Sequence, residues 1–341
     1  DSLIAQGMVF NNAFANAERS NKGIPAILSS FPSLMNTAFT SSSYQENCIT
    51  GISYYLKKMN YHCSFFHGGN RGTMNFYSYT KRIGFDAYYG REEFNDDTYY
   101  DGNWGIYDEN FLQFFAVKLN EFPQPFMSAI LTISSHHPFN IPAKYKGKFQ
   151  KGNSSEITAA MSYSDYSLRE FFRKVSGYPW FSNTLFIITA DHPFKLNEHE
   201  LPEYNEPEKK FRIPIIFYCP GKIKPQRIEK IAQQVDIMPS VLDYIGYNEC
   251  FNAYGISLFS EPYNISYQFD NNVYLIQDER YFLAFDGLKT SESHPLKGIE
   301  EIADQKIREE NSSPFLLENK IKAIIQTYYS QLTSNTFCQC N

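Results

Sequence analysis

Apolar residues in this chain gather into short runs, and the stretches between them carry helical spacing. The run from Thr184 to Thr189, "TLFIIT", is rich in β-branched and aromatic residues and free of charge, which predicts a buried strand. "HCSFFHGG", "FMSAILTISS" and "IPIIFY" share that character. Between them, "TGISYYLKKMNY", "FLQFFAVKL", residues 156–175 and "QVDIMPSVLDYIG" place apolar positions three and four apart, the last with a glycine stop. Residues 1–17 predict a helix and a short strand, and "GIPAILSSFPSLM" a helix entered through Pro25.

This alternation over roughly the first 250 residues implies an α/β fold with a largely parallel sheet covered on both faces. Beyond residue 262 the spacing changes. "YNISYQF", "NVYLIQD" and "RYFLAFDG" alternate at hairpin distances, and "LLENKIKAIIQTYYSQL" is amphipathic. The expected organisation is therefore a main domain over 1–262 and a small α+β subdomain over 263–341.

With 341 residues and 43% hydrophobic content the chain has material for a large core. A net charge of −6 leaves no basic stripe for nucleic acid, so an anionic substrate needs a local site. No apolar run of about 18 residues occurs, so these residues do not span a membrane. The chain opens without Met inside a helical stretch, "DSLIAQGMVF", and reads as a piece of a longer protein. Cys48, Cys63, Cys219, Cys250, Cys338 and Cys340 lack zinc-site spacing; oxidation of Cys338 and Cys340 in their polar tail is left open.

The candidate chemistry sits where strands end. "CSFFHGG" ends in His67, "LTISSHHPF" in His136 and His137, and "LFIITADH" in Asp191 and His192. In open α/β sheets ligands bind beyond the carboxyl ends of the strands, so these clusters point to one edge. Asp191 and His192 offer an oxygen and an imidazole nitrogen suited to a divalent cation; a helix cap or a hydrogen-bonded turn is the plainer alternative. Ser20 precedes the helix expected at Pro25, where free N–H groups favour an anion. It is a candidate nucleophile if a metal lowers its pKa, and otherwise an ordinary helix cap. "DAYYGREEF" and "DGNWGIYDE" could line a sugar or lipid-head pocket through Trp104, or simply stack as surface loops.

Taken in order, "NAFANAERSNKGIPAILSSFPSL", "FFHGGNRGTMNF", "GFDAYYG", "DGNWGIYDE", "SSHHPF", "NTLFIITADH", "FRIPIIFYCPG" and "VDIMPSVLDYIGY" resemble the lipoteichoic acid synthase branch of the alkaline phosphatase and sulfatase superfamily. The resemblance spans nearly the whole chain and implies an α/β/α sandwich with a mostly parallel sheet and a small C-terminal antiparallel sheet. It places Ser20 as nucleophile and metal ligand, Asp191 and His192 as metal ligands, and His67, His136 and His199 at the substrate. Met74 and Phe76 stand where relatives that transfer phosphoglycerol carry Trp and Arg. The family's fourth metal ligand, an acidic residue at the end of a first core strand, has no counterpart in the 19 residues before Ser20.

What the resemblance implies is a phosphotransferase using one divalent ion, Mn2+ or Zn2+ ahead of Mg2+ or Ca2+. A phospholipid head group would pass through phosphoserine to a glycan or glycolipid acceptor at the outer face of a bacterial membrane, with upstream segments making the membrane contact. The alternatives are a sulfate or phosphate ester hydrolase and a non-catalytic member of the fold. Ser20 continues as "SNKGI", without the Pro and Arg of the C/S-x-P-x-R run that sulfatases mature to formylglycine.

Overall fold

The computed structural model describes residues 2–150, 155–194, 206–260, 265–296 and 313–338. The chain divides into two compact units, one formed by 1–52 with 185–341 and the other by 53–184.

The first unit opens with a short helix α1 (Ser2–Gln6), strand β1 (Met8–Phe14) and helix α2 (Ser20–Ser29). α2 begins five residues before Pro25, which lies inside it, so the expected entry through Pro25 is corrected. A proline this close to the start deprives only the Asn21 carbonyl of its helical donor, and the next turn continues. The helix ends at Ser30 in the left-handed conformation (φ 50°). The Ser30 hydroxyl donates to the Val235 carbonyl and accepts from the amides of Tyr254 and Gly255.

The second unit is a three-stranded parallel sheet with helices packed on it. Along the chain come α3 (Ile52–Lys58), β2 (His62–His67), α4 (Phe76–Arg82), β3 (Ala87–Tyr89), α5 (Arg91–Phe94) and α6 (Asp108–Glu121). β4 (Phe126–Leu131), α7 (Ala143–Phe149) and α8 (Glu156–Val175) complete it. The strand order is β3-β2-β4, with Phe66 opposite both Tyr89 and Ile130. Phe65 and Phe66 are almost fully buried, and the Phe66 ring stacks on Tyr89 with centroids 4.5 Å apart. α6 and α8 meet through stacked Phe115 and Phe171. Residues 156–175 are helical as their spacing predicts.

The chain then returns to the first unit with β5 (Phe186–Thr189), β6 (Ile215–Tyr218), β7 (Gln226–Gln233) and α9 (Ile237–Tyr244). The sheet order is β5-β6-β1-β7; β6 runs against β1 and β5, and β7 runs parallel to β1. β5, which carries the Asp-His pair, is an edge strand of this sheet, and its four residues are only half-buried. β7 was not expected from its polar sequence, QRIEKIAQ.

A four-stranded antiparallel sheet follows: β8 (Ser266–Asp270), β9 (Val273–Gln277), β10 (Tyr281–Phe285) and β11 (Thr290–Pro295). The last helix, α10 (Pro314–Ser334), packs on it. One apolar core joins the two sheets of this unit, with Phe10, Phe14, Ile215 and Phe217 in the same cluster as Leu275, Phe282 and Ala284. Such burial is the main favourable contribution to folding. A disulfide between Cys48 and Cys338 ties the loop after α2 to the end of α10. Cys340 and His199 lie outside the described residues. No described helix is long and apolar enough to cross a membrane.

Candidate active site

Ser20 is the first residue of α2, and Arg19, not Ser20, occupies the capping position. The Arg19 side chain makes no cap bond, while its carbonyl accepts from the amides of Lys22 and Gly23. The cap alternative for Ser20 is thereby removed. The N-terminal end of the helix dipole also lies at this residue.

β5 runs out into Asp191 and His192, both partly buried. The His192 Nδ1 lies 2.8 Å from the Pro193 carbonyl. A carbonyl only accepts, so Nδ1 carries the proton and donates, leaving Nε2 with its lone pair when the ring is neutral. That Nε2 faces Asp191 Oδ2 at 3.7 Å, and Asp191 Oδ1 accepts from the His192 amide. Two acceptors facing each other call for a shared proton or a cation between them. Ligand bonds of about 2.1 Å would span such a gap, so the pair fits a divalent ion.

Gly23 explains how α2 meets this strand end. A side-chain carbon built there would come within 1.9 Å of the Asp191 carbonyl oxygen and 2.8 Å of its carbon. Only glycine allows that main-chain approach. Gly23 follows Ser20 by three residues, which puts the two on neighbouring positions of one helix face. The backbone of α2 thus abuts the Asp191 carbonyl three residues after Ser20.

The buried surroundings of this contact were not legible as a site. Gln234, fully buried, donates to the Ala190 and Asp191 carbonyls at 2.8 and 2.7 Å and accepts from the Asn16 amide. Lys22, also buried, bonds Glu18 at 2.9 Å and the Met35 carbonyl at 3.0 Å. Asp236 accepts from the amides of Gln233 and Ile256, and burial pushes its carboxyl up to about 7 against those bonds. Among the described residues no three or more His, Cys, Asp and Glu side chains gather as a metal cluster. Asp191 and His192 are two residues of those types, and Ser20 is of another.

The other expected residues lie in the second unit. The parallel pairing of β2 and β4 sets His67 opposite Leu131, whose carbonyl lies 3.2 Å from the His67 Nδ1. His67 is buried and meets Phe76 edge-on at 5.4 Å. Phe76 is 1% exposed and is a core contact in this chain.

His136 is exposed on the loop after β4. Its ring lies 4.1 Å from that of Trp104, and the indole N–H donates to the His137 carbonyl at 2.6 Å. Asp101 Oδ1 holds the Trp104 loop by accepting the amides of Asn103, Trp104 and Gly105. Buried Asp108 holds the other loop, accepting from the Ile133 and Ser134 amides and the Ser164 hydroxyl. Burial raises its carboxyl pKa against those bonds.

Residues 1–247 match the family described as Sulfatase. The lipoteichoic acid synthase-like YvgJ of Bacillus subtilis is 24% identical over 267 residues, 72% of this chain and 43% of that protein. Phosphoglycerol transferase I of Escherichia coli O127:H6 is 28% identical over 248 residues, 69% of this chain and 31% of its own length. The chain thus spans less than half the length of these curated relatives.

Among solved structures, an alkaline phosphatase superfamily protein from Vibrio parahaemolyticus superposes with a TM-score of 0.82 at 24% identity, covering 99% of this chain and 82% of that one. The lipoteichoic acid synthase LtaP from Listeria monocytogenes gives 0.79 at 20% identity, covering 98% and 85%. The fold is that of the alkaline phosphatase superfamily. With its family match running through both strand-end histidine loops and the Asp191–His192 pair, this chain belongs to the sulfatase family.

Proposed function

We propose that this chain carries the phosphotransfer site of an enzyme that moves a phospholipid head group onto a glycan or glycolipid hydroxyl. One observation carries the reading. Two acceptor atoms, Asp191 Oδ2 and His192 Nε2, face each other at the end of β5, and α2 meets that backbone through Gly23, three residues after Ser20.

Ser20, Asp191 and His192 would hold the divalent ion, Mn2+ or Zn2+ by their donor types. Such an ion lowers the pKa of a bound hydroxyl and offsets charge on phosphate oxygens. The Ser20 oxygen then attacks the head-group phosphorus. A serine–phosphorus bond forms as the bond to the departing lipid alcohol breaks, and the serine proton passes through solvent to that alcohol. The acceptor hydroxyl then attacks the phosphorus: its oxygen–phosphorus bond forms as the serine–phosphorus bond breaks, and its proton passes through solvent to the Ser20 oxygen. The N-terminus of α2 favours the negative charge that collects there.

For His67, His136 and Trp104 we propose substrate contacts, and for His199 a phosphate contact on the resemblance alone. The buried Phe76 argues against a phosphoglycerol clamp of the Arg type, so the head group transferred is left broader than phosphoglycerol. A second reading, favoured by the match to the family described as Sulfatase, has water as the acceptor, so that a phosphate ester is hydrolysed. The Cys48–Cys338 disulfide supports an oxidising compartment, in keeping with the outer face of a bacterial membrane.

The test is mass spectrometry of the chain after incubation with Mn2+ and vesicles of phosphatidylglycerol or phosphatidylethanolamine. A head-group phosphate adduct on the Ser20 peptide, absent from Ser20→Ala, is the expected result. Turnover without any adduct in wild type, undiminished in Ser20→Ala, would overturn the reading. Release of free head-group phosphate with the adduct present would select hydrolysis over transfer.

A further inference from the structure

Buried Ser30, Asp236 and Asp278 in the first unit serve caps or turns. Gln234 does something different. Its carboxamide nitrogen donates to two successive carbonyls, Ala190 at 2.8 Å and Asp191 at 2.7 Å, and its oxygen accepts from the Asn16 amide at 2.8 Å. Asn16 answers in kind, accepting from the Val235 amide and donating to the Gln233 side chain and the Tyr267 carbonyl. Both residues are at most 1% exposed. The end of β1, the turn before α9 and the end of β5 are thereby locked together.

From this geometry we infer that Gln234 is the positioning residue for the Asp191–His192 pair. The inference rests on the proposed metal-binding role of that pair. β5 is an edge strand, paired with β6 through Thr189 and not beyond, so its ladder leaves the two residues that follow Ala190 to other restraints. Gly23 abuts the Asp191 carbonyl and Gln234 bonds it, so this one peptide is contacted by both. Fixing it fixes the direction of the Asp191 side chain and the start of His192. Only an amide has the two donors and one acceptor that this place requires. A carboxylate of the same shape would set negative oxygens against two carbonyls. The residues that orient metal ligands act on affinity in the same way as the ligands, to a smaller degree.

Gln233 provides the control. It is also buried and accepts from the Asn16 side chain and the Tyr267 amide, and among the described residues its hydrogen bonds do not reach Asp191. Mn2+ affinity is measured by titration calorimetry for wild type, Gln234→Glu and Gln233→Met, with thermal melts of the metal-free proteins. The expected result is a loss of Mn2+ affinity of about 10–100-fold in Gln234→Glu, with Gln233→Met less stable but unchanged in affinity. Equal losses in both variants, or none in Gln234→Glu, would overturn the assignment. If Gln234→Glu does not fold, Gln234→Asn, which keeps the amide on a shorter stem, takes its place under the same criteria.

A second readout needs no metal. The 15N resonances of the His192 ring in the metal-free proteins should shift in Gln234→Glu and stay at their wild-type positions in Gln233→Met. An unchanged His192 ring in Gln234→Glu counts against the inference. Should wild type bind no Mn2+ at all, the proposed function falls, and the ring resonances still decide whether Gln234 positions the pair.

Discussion

The indole N–H of Trp104 donates to the carbonyl of His137 at 2.6 Å, while its ring rests 4.1 Å from that of His136. One side chain thus holds the backbone of the loop and the face of its exposed histidine. Trp104→Ala removes both, and Trp104→Phe only the hydrogen bond. If His136 binds the substrate, Trp104→Ala should lower kcat/KM on the order of 10²-fold, the usual effect of loosening a positioned group by about 1 Å. Trp104→Phe should fall between it and wild type in steady-state assays.

Ser20 is not a cap, and this separates its chemistry from its stability. Removing a capping hydroxyl costs about 1 kcal/mol. Ser20→Ala should instead change unfolding free energy by less than about 0.5 kcal/mol in urea titrations, as for other substitutions outside structural bonds. The phosphoserine should disappear completely. A loss of a full cap's worth would show that the hydroxyl has a structural partner.

Asp236 makes stability depend on pH with an unusual sign. Its folded pKa is pushed up to about 7 by burial, opposed by bonds from the Ile256 and Gln233 amides and by the charge of Lys230. In the unfolded chain an aspartate titrates near about 4. The folded state therefore holds its proton over that window, and stability falls as pH rises from about 4 to about 7. Asp86, held below its ordinary value by Lys57 and the Cys63 amide despite partial burial, acts oppositely and loses stability in acid. Asp236→Asn should flatten the decline between pH 4 and 7, by a few kcal/mol, at some cost from a lost acceptor. Urea midpoints at several pH values, compared between the two proteins, measure it.

The Cys48–Cys338 bond closes a separation of 290 residues and holds the end of α10. Its removal, by reductant or by Cys48→Ser, should cost about 2–5 kcal/mol. The melting temperature with and without dithiothreitol reports it, and Cys48→Ser should be insensitive to the reagent.

Much of this architecture was legible from pattern alone. The runs at β2, β4, β5 and β6 declared themselves because strands covered on both faces are apolar without interruption, and α8 because burial of one helix face acts on every third and fourth residue. β7 and β11 did not. QRIEKIAQ begins exposed and TSESHP is largely exposed, so no buried face imposes an alternation. Nor could the reversed direction of β6 be read, since IIFY is apolar on both faces in either direction.

The candidate site divides in the same way. Asp191 and His192 stood out because they end an apolar run. Gln234 and Asn16 bond across about 218 positions and show no periodic sign of it. Ser20 was legible as a helix start, but Pro25 misplaced that start and hid the fact that Arg19 takes the cap. The pairing of Cys48 with Cys338 likewise depends on where the chain returns in space.

Gly23 meets Asp191 with no side chain between them, so the clearance there is one of main chain on main chain. It works as a fixed gauge. Neighbouring side chains can drift over evolutionary time without altering the gap between helix and strand. A single added methyl at this position would sit 1.9 Å from the Asp191 oxygen, so helix start or strand end would have to give way. The separation on which the chemistry would depend is therefore written into a hydrogen atom.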